Sequence, residues 1–293
     1  MITVFRYGFS QFATRQPARQ FKTNKRIGFL GAGQMAQAIA IGLQQSKSVE
    51  GEQIALCDKT ANAFPNYKKF GFQMIPCGKE LVDRSQILFL CVKPSDFESA
   101  FQTVVPLDPR KMYVSIAAGI TLQHMFTLAG EKMESSKSKM IQLMPNTPCL
   151  VGEGAGAFLA APSLTTDEIE EFKNLLRSSM PILEQVDSTK QMDAVTGVAG
   201  SGPAYIFTIA EAMAEAGVKQ GLPWNLSLRL ALQTIKGSAV ILQNTGDHPA
   251  VLKMKVCSPG GTTAAALHEL DNGSFRATLM NAVEAATLKA STL

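Results

Sequence analysis

The sequence predicts an α/β fold built on a parallel sheet covered on both faces, followed by an all-helical part. Three observations carry this prediction. Short, continuously apolar runs recur through the first part of the 293 residues, as strands buried on both faces should. Helical stretches separate these runs, which is the alternation of a crossover-connected sheet. Beyond Asp193 no clear strand remains, and long stretches rich in Ala, Met and Leu are broken by Gly and Pro.

The elements follow in order. Folded structure is expected to start at Arg26-Ile27-Gly28-Phe29-Leu30, an apolar run suited to a buried strand. Gly31-Ala32-Gly33 turns the chain, and the Ala-rich segment from Met35 to Leu43 reads as a helix. Gln53 to Cys57 fits a second strand ending at Asp58. Gln86 to Val92, Lys111 to Ile116 and Met140 to Met144 are three more apolar strands, the last stopped by Pro145. Thr165-Thr166-Asp167-Glu168 has capping-box spacing, and Ile169, Phe172, Leu175 and Leu176 follow at helical period. A strand from Ile182 to Val186 closes the first domain. The expected organisation is a basic extension over residues 1–25, a sheet domain over 26–188 and a helical domain over 189–293.

Composition narrows the function classes. With 46% apolar and 18% charged residues, the chain has a soluble globular composition rather than a disordered one. No stretch of 18 apolar residues occurs, so no membrane span is expected. Five scattered cysteines without a CxxC pair point to buried thiols in a reducing compartment. His124, His248 and His268 lie far apart and show no metal spacing. The first 26 residues hold Arg6, Arg15, Arg19, Lys22, Lys25 and Arg26 and no acid. The rest of the chain is therefore near neutral and slightly acidic, which argues against nucleic-acid binding. Phe5, Tyr7, Phe9, Phe12 and several Ser, Thr and Gln accompany those cations. That mixture reads as a mitochondrial presequence; a cytoplasmic protein with a plain extension is the alternative.

Two loops carry the chemistry. Gly31-x-Gly33-x-x-Ala36 sits between an expected strand and an expected helix, the context that gives this spacing meaning. The first glycine permits a tight turn, and the second lets backbone approach a pyrophosphate. The small Ala36 lets the helix lie against its strand. The helix start offers unpaired N–H groups and a partial positive charge to the phosphates. These features predict a Rossmann-type dinucleotide-binding domain. Asp58 falls where an acid bonds the adenosine ribose hydroxyls, and its charge would favour NADH. Lys59, with Lys68 or Lys69, could compensate and admit NADPH, so the cofactor is read as NADPH or NADH. The second loop, Cys257-Ser258-Pro259-Gly260-Gly261-Thr262-Thr263, opens an Ala-rich helix. Backbone N–H groups and three hydroxyls converge at that helix start, which suits a carboxylate. Taken alone, the stretch is better read as a plain capped helical turn.

The second loop resembles the signature of the pyrroline-5-carboxylate reductase family. Six further blocks agree in order along the chain. These are Gly31-Ala32-Gly33-Gln34-Met35, Val92-Lys93-Pro94, Ser115-Ile116-Ala117-Ala118-Gly119, Met144-Pro145-Asn146-Thr147-Pro148, Gly200-Ser201-Gly202-Pro203-Ala204-Tyr205 and Gly273-Ser274-Phe275-Arg276. The resemblance covers essentially all of residues 26–293. It implies a Rossmann domain followed by an all-α dimerisation domain that interlocks with its mate, often assembled further into decamers. It places Gly31 to Met35 on the pyrophosphate and Val92, Lys93, Pro94, Ala117 and Ala118 around the cofactor. It gives the substrate carboxylate to Ser258, Gly260, Gly261, Thr262 and Thr263. Thr263 would also bond the ring nitrogen across the dimer interface, as the catalytic group. In two positions the chain departs from relatives that use NADPH, which often carry Ser or Asn at Asp58 and Asn at Gly78.

The implied reaction is hydride transfer from NADPH or NADH to Δ1-pyrroline-5-carboxylate, giving L-proline. An imine that arrives protonated is already electrophilic and needs no tuned acid, which fits a chain without an evident His or carboxylate pair. Positioning would then be the protein's main task. The rival readings are a reductase of another imine or a hydroxy acid, with Lys236 as its acid, and a nucleotide-binding homologue without activity. The intact loop at 256–263 speaks against the second.

Overall fold

A computed structural model describes residues 21–60 and 63–293. The basic extension expected over residues 1–25 lies, through residue 20, outside the described residues. The sheet part runs β1 (Ile27–Leu30), α1 (Gln34–Gln45), β2 (Ile54–Cys57), β3 (Gln73–Met74), α2 (Gly78–Arg84), β4 (Ile87–Leu90), α3 (Pro94–Phe101), β5 (Met112–Ser115), α4 (Leu122–Leu128), β6 (Lys139–Met144), β7 (Ala155–Ala160), α5 (Thr166–Leu176) and β8 (Ile182–Gln185). These strands form one eight-stranded sheet in the order β3-β2-β1-β4-β5-β6-β7-β8.

The first six strands are parallel and lie in the doubly wound 3-2-1-4-5-6 order of a Rossmann sheet. Strand β7 runs antiparallel to β6, and β8 returns parallel to β7. Neither β7 nor the two-residue β3 is evident in the sequence. Residues 155–160 read Ala-Gly-Ala-Phe-Leu-Ala, a composition poor in the β-branched residues that mark strands. Tertiary packing supplies what propensity lacks: Phe158 of β7 meets Phe172 of α5 edge-on, with ring centroids 5.3 Å apart. Five further strands were expected to start or end one or two residues beyond their observed limits, the usual fraying of boundaries.

Strands β1 and β4 are buried along their whole length, as their unbroken apolar runs require. Phe29 and Phe89 are paired across them and stack at 4.9 Å. Helix α5 begins with the expected capping box. Thr165 Oγ1 accepts the Glu168 N–H, and the Glu168 carboxylate accepts the Thr165 N–H. Burial pushes the Glu168 carboxyl up, but bonds from Lys139 and Thr165 outweigh it and hold the group below its usual range. Its contribution to stability is thus present above the ordinary carboxylate pKa and fades as pH falls through the lowered one. Replacing Thr165 with Ala is expected to cost about 1 kcal/mol in denaturant unfolding, with no change in cofactor affinity.

Helices fill the rest: α6 (Thr189–Val195), a π-helical turn (Thr196–Gly200), α7 (Gly202–Lys219), α8 (Trp224–Thr245), α9 (Pro249–Val256), α10 (Thr262–Asn272) and α11 (Phe275–Ala290). The described chain divides into two compact units, one made of Ala204–Met280 and the other of the sheet through Pro203 with Asn281–Leu293. Secondary structure changes character near residue 188, whereas the units part inside α7 and again inside α11.

The sheet unit has an extensive apolar core. The helical unit does not. Among its residues only Ala210, Ala214, Ser227 and Ala231 are buried, while Phe207, Met254, Val256 and Met280 are each 65–69% exposed. Ile206, Trp224, Leu226, Leu230, Leu232 and Ile241 add to that surface. Apolar exposure on this scale marks an association surface rather than a finished monomer.

Candidate active site

The carboxyl ends of β1 and β4 adjoin where the strand order reverses, which is where open α/β sheets bind ligands. A cleft of about 650 Å³ opens there. Gly31, Gly33, Asp58, Val92 and Lys93 line it together, as the sequence leads one to expect.

The glycine loop explains its own residues. Gly31 has φ of +99°, and a Cβ there would sit 2.7 Å from the Cys91 carbonyl. Its N–H donates to the Cys57 carbonyl at 2.7 Å, so the turn is pinned on β2. Gly33 is different. Its φ is −68° and a Cβ would meet nothing within 4 Å. Nothing in this chain's own packing requires a glycine at position 33, whereas close approach of a phosphate to the backbone would. Ala36 is 1% exposed, packed as the motif demands. Gly33 is the N-cap of α1 and no side chain caps that end. The N–H groups of Gln34 and Met35 therefore remain to meet an anion. Met35 is further held by Cys149, whose thiol lies 3.5 Å from the Met35 sulfur. These features fit a dinucleotide pyrophosphate.

Asp58 does more than stand ready for a ribose. One carboxylate oxygen accepts the Ala32 N–H at 2.8 Å and the other accepts the Thr60 N–H at 2.8 Å. The carboxylate thus ties the glycine loop to the end of β2, and each oxygen has a lone pair left for a hydroxyl. Lys59 does not stand free beside it: Lys59 Nζ lies 2.8 Å from the Asp96 carboxylate on α3. Gly78 opens α2 on the rim of the same cleft, and a Cβ there would lie 3.0 Å from Thr103 Oγ1. Pro94 is the first residue of α3, with Lys93 as its N-cap.

Ala117 and Ala118 line a separate cavity of about 140 Å³ past the end of β5, with Gln142, Met144, Thr189 and Asp193. Sequence reading missed several residues. Asp96, Ser99, Ala100 and Thr103 line the main cleft. Asp96, Ser99 and Ala100, spaced three and four apart, share the side of α3 away from the buried Phe97 and Phe101, and Thr103 follows two residues past the helix end; that period was available in the sequence. Asn146 carried no such signal. It donates to the Ala199 carbonyl and accepts the Ala155 N–H, so it clamps the segment after β6 to β7 and to the π-helical turn. Cys57 and Cys91 are also among the residues lining the cleft, and burial pushes both thiols up, which leaves them neutral and poor nucleophiles.

In the helical unit, residues 258–263 form a turn opened by Gly260, whose φ is +68°. The Gly261 N–H donates to the Ser258 carbonyl at 3.0 Å. Gly261 is the N-cap of α10, and again no side chain caps the helix. The N–H groups of Thr262, Thr263 and Ala264 are the unpaired ones of that first turn. Ser258 and Thr262 are exposed and Thr263 is half-buried. This is a second anion-seeking helix start, built from the residues the sequence singled out.

Comparison with known proteins decides between these chemistries. Residues 189–293 match the family model described as pyrroline-5-carboxylate reductase dimerisation, and residues 26–119 match one described as NADP oxidoreductase coenzyme F420-dependent. A pyrroline-5-carboxylate reductase of Arabidopsis thaliana is 41% identical over 92% of this chain and 94% of its own length. The chain belongs to the pyrroline-5-carboxylate reductase family. Pyrroline-5-carboxylate reductase 3 of Mus musculus is 37% identical over 92% of this chain and 96% of its own. The crystal structure of the Plasmodium falciparum pyrroline carboxylate reductase with NADP bound superposes with a TM-score of 0.83 at 32% identity, covering 92% of this chain and 98% of the other. Membership in the family covers both units and sets aside the hydroxy-acid reading; Lys236 is an exposed residue of α8.

Proposed function

We propose that this chain reduces Δ1-pyrroline-5-carboxylate to L-proline with NADPH or NADH. The observation that carries the reading is the pair of uncapped helix starts, one behind Gly33 and one behind Gly261. A dinucleotide and a small carboxylate are the anions these two sites fit. When bound, the reduced nicotinamide supplies the hydride for the imine carbon.

The chain's own residues do the rest. Gln34 and Met35 N–H groups hold the pyrophosphate, with Gly33 leaving room for it. Asp58 fixes the loop through Ala32 and keeps oxygen lone pairs for the ribose. Ser258 and the backbone of Gly260 to Thr263 grip the substrate carboxylate; the helix dipole contributes about 0.3–2 kcal/mol to that grip. The Thr263 hydroxyl accepts the N–H of the protonated ring nitrogen and fixes the face that is reduced. A fixed geometry is the larger part of the acceleration, because the iminium carbon is activated before it binds.

Homodimerisation belongs to the same reading. The apolar surface of the helical unit has no counterpart within the unit itself, and a second copy would cover it. Assembly into decamers and a mitochondrial destination are further proposals, the latter supported by the basic, acid-free start of the sequence. The deciding experiment adds pyrroline-5-carboxylate with NADPH and with NADH in turn and follows absorbance of the reduced cofactor. Consumption dependent on the substrate, with proline as product, is expected. Consumption with a 2-oxo acid but not with the imine would overturn the reading.

A further inference from the structure

The Lys59–Asp96 ion pair crosses the cleft that receives the adenosine end of a dinucleotide. Lys59 follows Asp58 directly after β2, and Asp96 stands in the first turn of α3, after the Val92-Lys93-Pro94 segment. Both line the cleft, with Asp58 and Lys93 as its other charged residues. The lining therefore carries two carboxylates and two ammonium groups and has no net preference for anions. Lys59 is the ammonium beside Asp58, where a 2′-phosphate is distinguished from a ribose hydroxyl, and the structure shows it bonded to a carboxylate.

We propose that Asp96 sets the cofactor preference by holding Lys59. The proposal rests on the dinucleotide reading of the cleft and adds to it. A cofactor with a free 2′-hydroxyl leaves the pair intact. One with a 2′-phosphate must draw Lys59 away from Asp96 and bring its own charge near both Asp58 and Asp96. A phosphate offers more charge and more acceptor oxygens than a carboxylate, so it wins Lys59 but at reduced net gain. The Lys59 side chain is 76% exposed and that of Asp96 34%, so the pair is of the weak, solvent-screened kind and can be broken by a ligand. Asp96 thereby reduces discrimination in favour of NADPH rather than abolishing its binding. The carboxylate expected to make this choice, Asp58, is engaged by backbone N–H groups on both oxygens, and Asp96 has no backbone bond of that kind among the described contacts of its carboxylate.

The test uses adenosine 2′,5′-bisphosphate and adenosine 5′-monophosphate, which differ only in the 2′-phosphate and carry no nicotinamide, so binding is read without turnover. Calorimetric titrations are run on the full chain, on Asp96→Asn, on Lys59→Met and on the double variant, with thermal melts confirming that each is folded. Asp96→Asn is expected to raise the affinity ratio of bisphosphate to monophosphate about two- to fivefold, the range of a broken exposed pair. Lys59→Met is expected to lower that ratio, and in its background Asp96→Asn should change it by much less. The gain should shrink as salt is raised from 50 to about 300 mM. An equal gain for both ligands, or a gain that survives in the Lys59→Met background, would overturn the proposal while leaving the dinucleotide reading in place. Failure of the wild-type chain to bind either nucleotide would overturn both.

Discussion

Replacing Thr263 with Ala is expected to lower kcat by about a hundredfold, the scale of effect of misplacing a substrate by about an ångström. The reason is geometric. Thr263 is the second residue of α10, half-buried, in a first turn that no side chain caps. In the proposed reaction its hydroxyl bonds the ring nitrogen while the neighbouring N–H groups hold the carboxylate. Alanine keeps the helix and the N–H groups, so KM for the imine should move by far less than kcat, and nucleotide affinity should stay as it was. Such a split, measured by initial rates and by nucleotide titration, is what loss of an interaction made mainly in the transition state looks like. Thr263→Ser retains the hydroxyl and should recover most of the rate. A kcat unchanged in Thr263→Ala would remove this role.

The second large effect separates two glycines two residues apart. Gly31→Ala is expected to destabilise the folded chain by about 2–4 kcal/mol, because φ of +99° strains any L side chain and the new Cβ would press on the Cys91 backbone at 2.7 Å. Gly33→Ala should leave the denaturation curve where it is, since its Cβ meets nothing within 4 Å and φ is already −68°. Its cost should fall on the ligand instead, as a loss of cofactor affinity of about tenfold or more. Unfolding curves and cofactor titrations on both variants check the pair. Equal losses of stability in both would mean that Gly33 is there for the chain and not for a phosphate.

Much of the site was legible in the sequence, and for a definite reason. A strand, a glycine turn and a helix start are local objects. The glycine turn at Gly31 and Gly33 and the uncapped start of α1 at Gln34 and Met35 rest on backbone N–H groups and missing side chains, which follow from spacing alone. The turn at Ser258 to Thr263 is different: alone it reads as a plain capped turn, and the blocks matched elsewhere along the chain gave it its role. The face of α3 carrying Asp96, Ser99 and Ala100, with Thr103 just past the helix, had the right period and was passed over, because polar residues on a helix ordinarily face solvent.

What the sequence determined by itself is the order of elements, the two anion-seeking helix starts and the family to which they belong. The first two depend on residues within a few positions of one another, and the family on seven short blocks spread from Gly31 to Arg276. Only the tertiary structure decided that one oxygen of Asp58 is tied to the glycine loop through Ala32, that Lys59 is held by Asp96, that Asn146 clamps Ala155 and Ala199, and that the Ala- and Gly-rich β7 joins the sheet antiparallel. Several of these partners are dozens of residues apart in the chain, and a hydrogen bond or ion pair at such separation exists only once the sheet has brought its ends together. Residue type says what a side chain can bond; the fold chooses which of the candidates it meets.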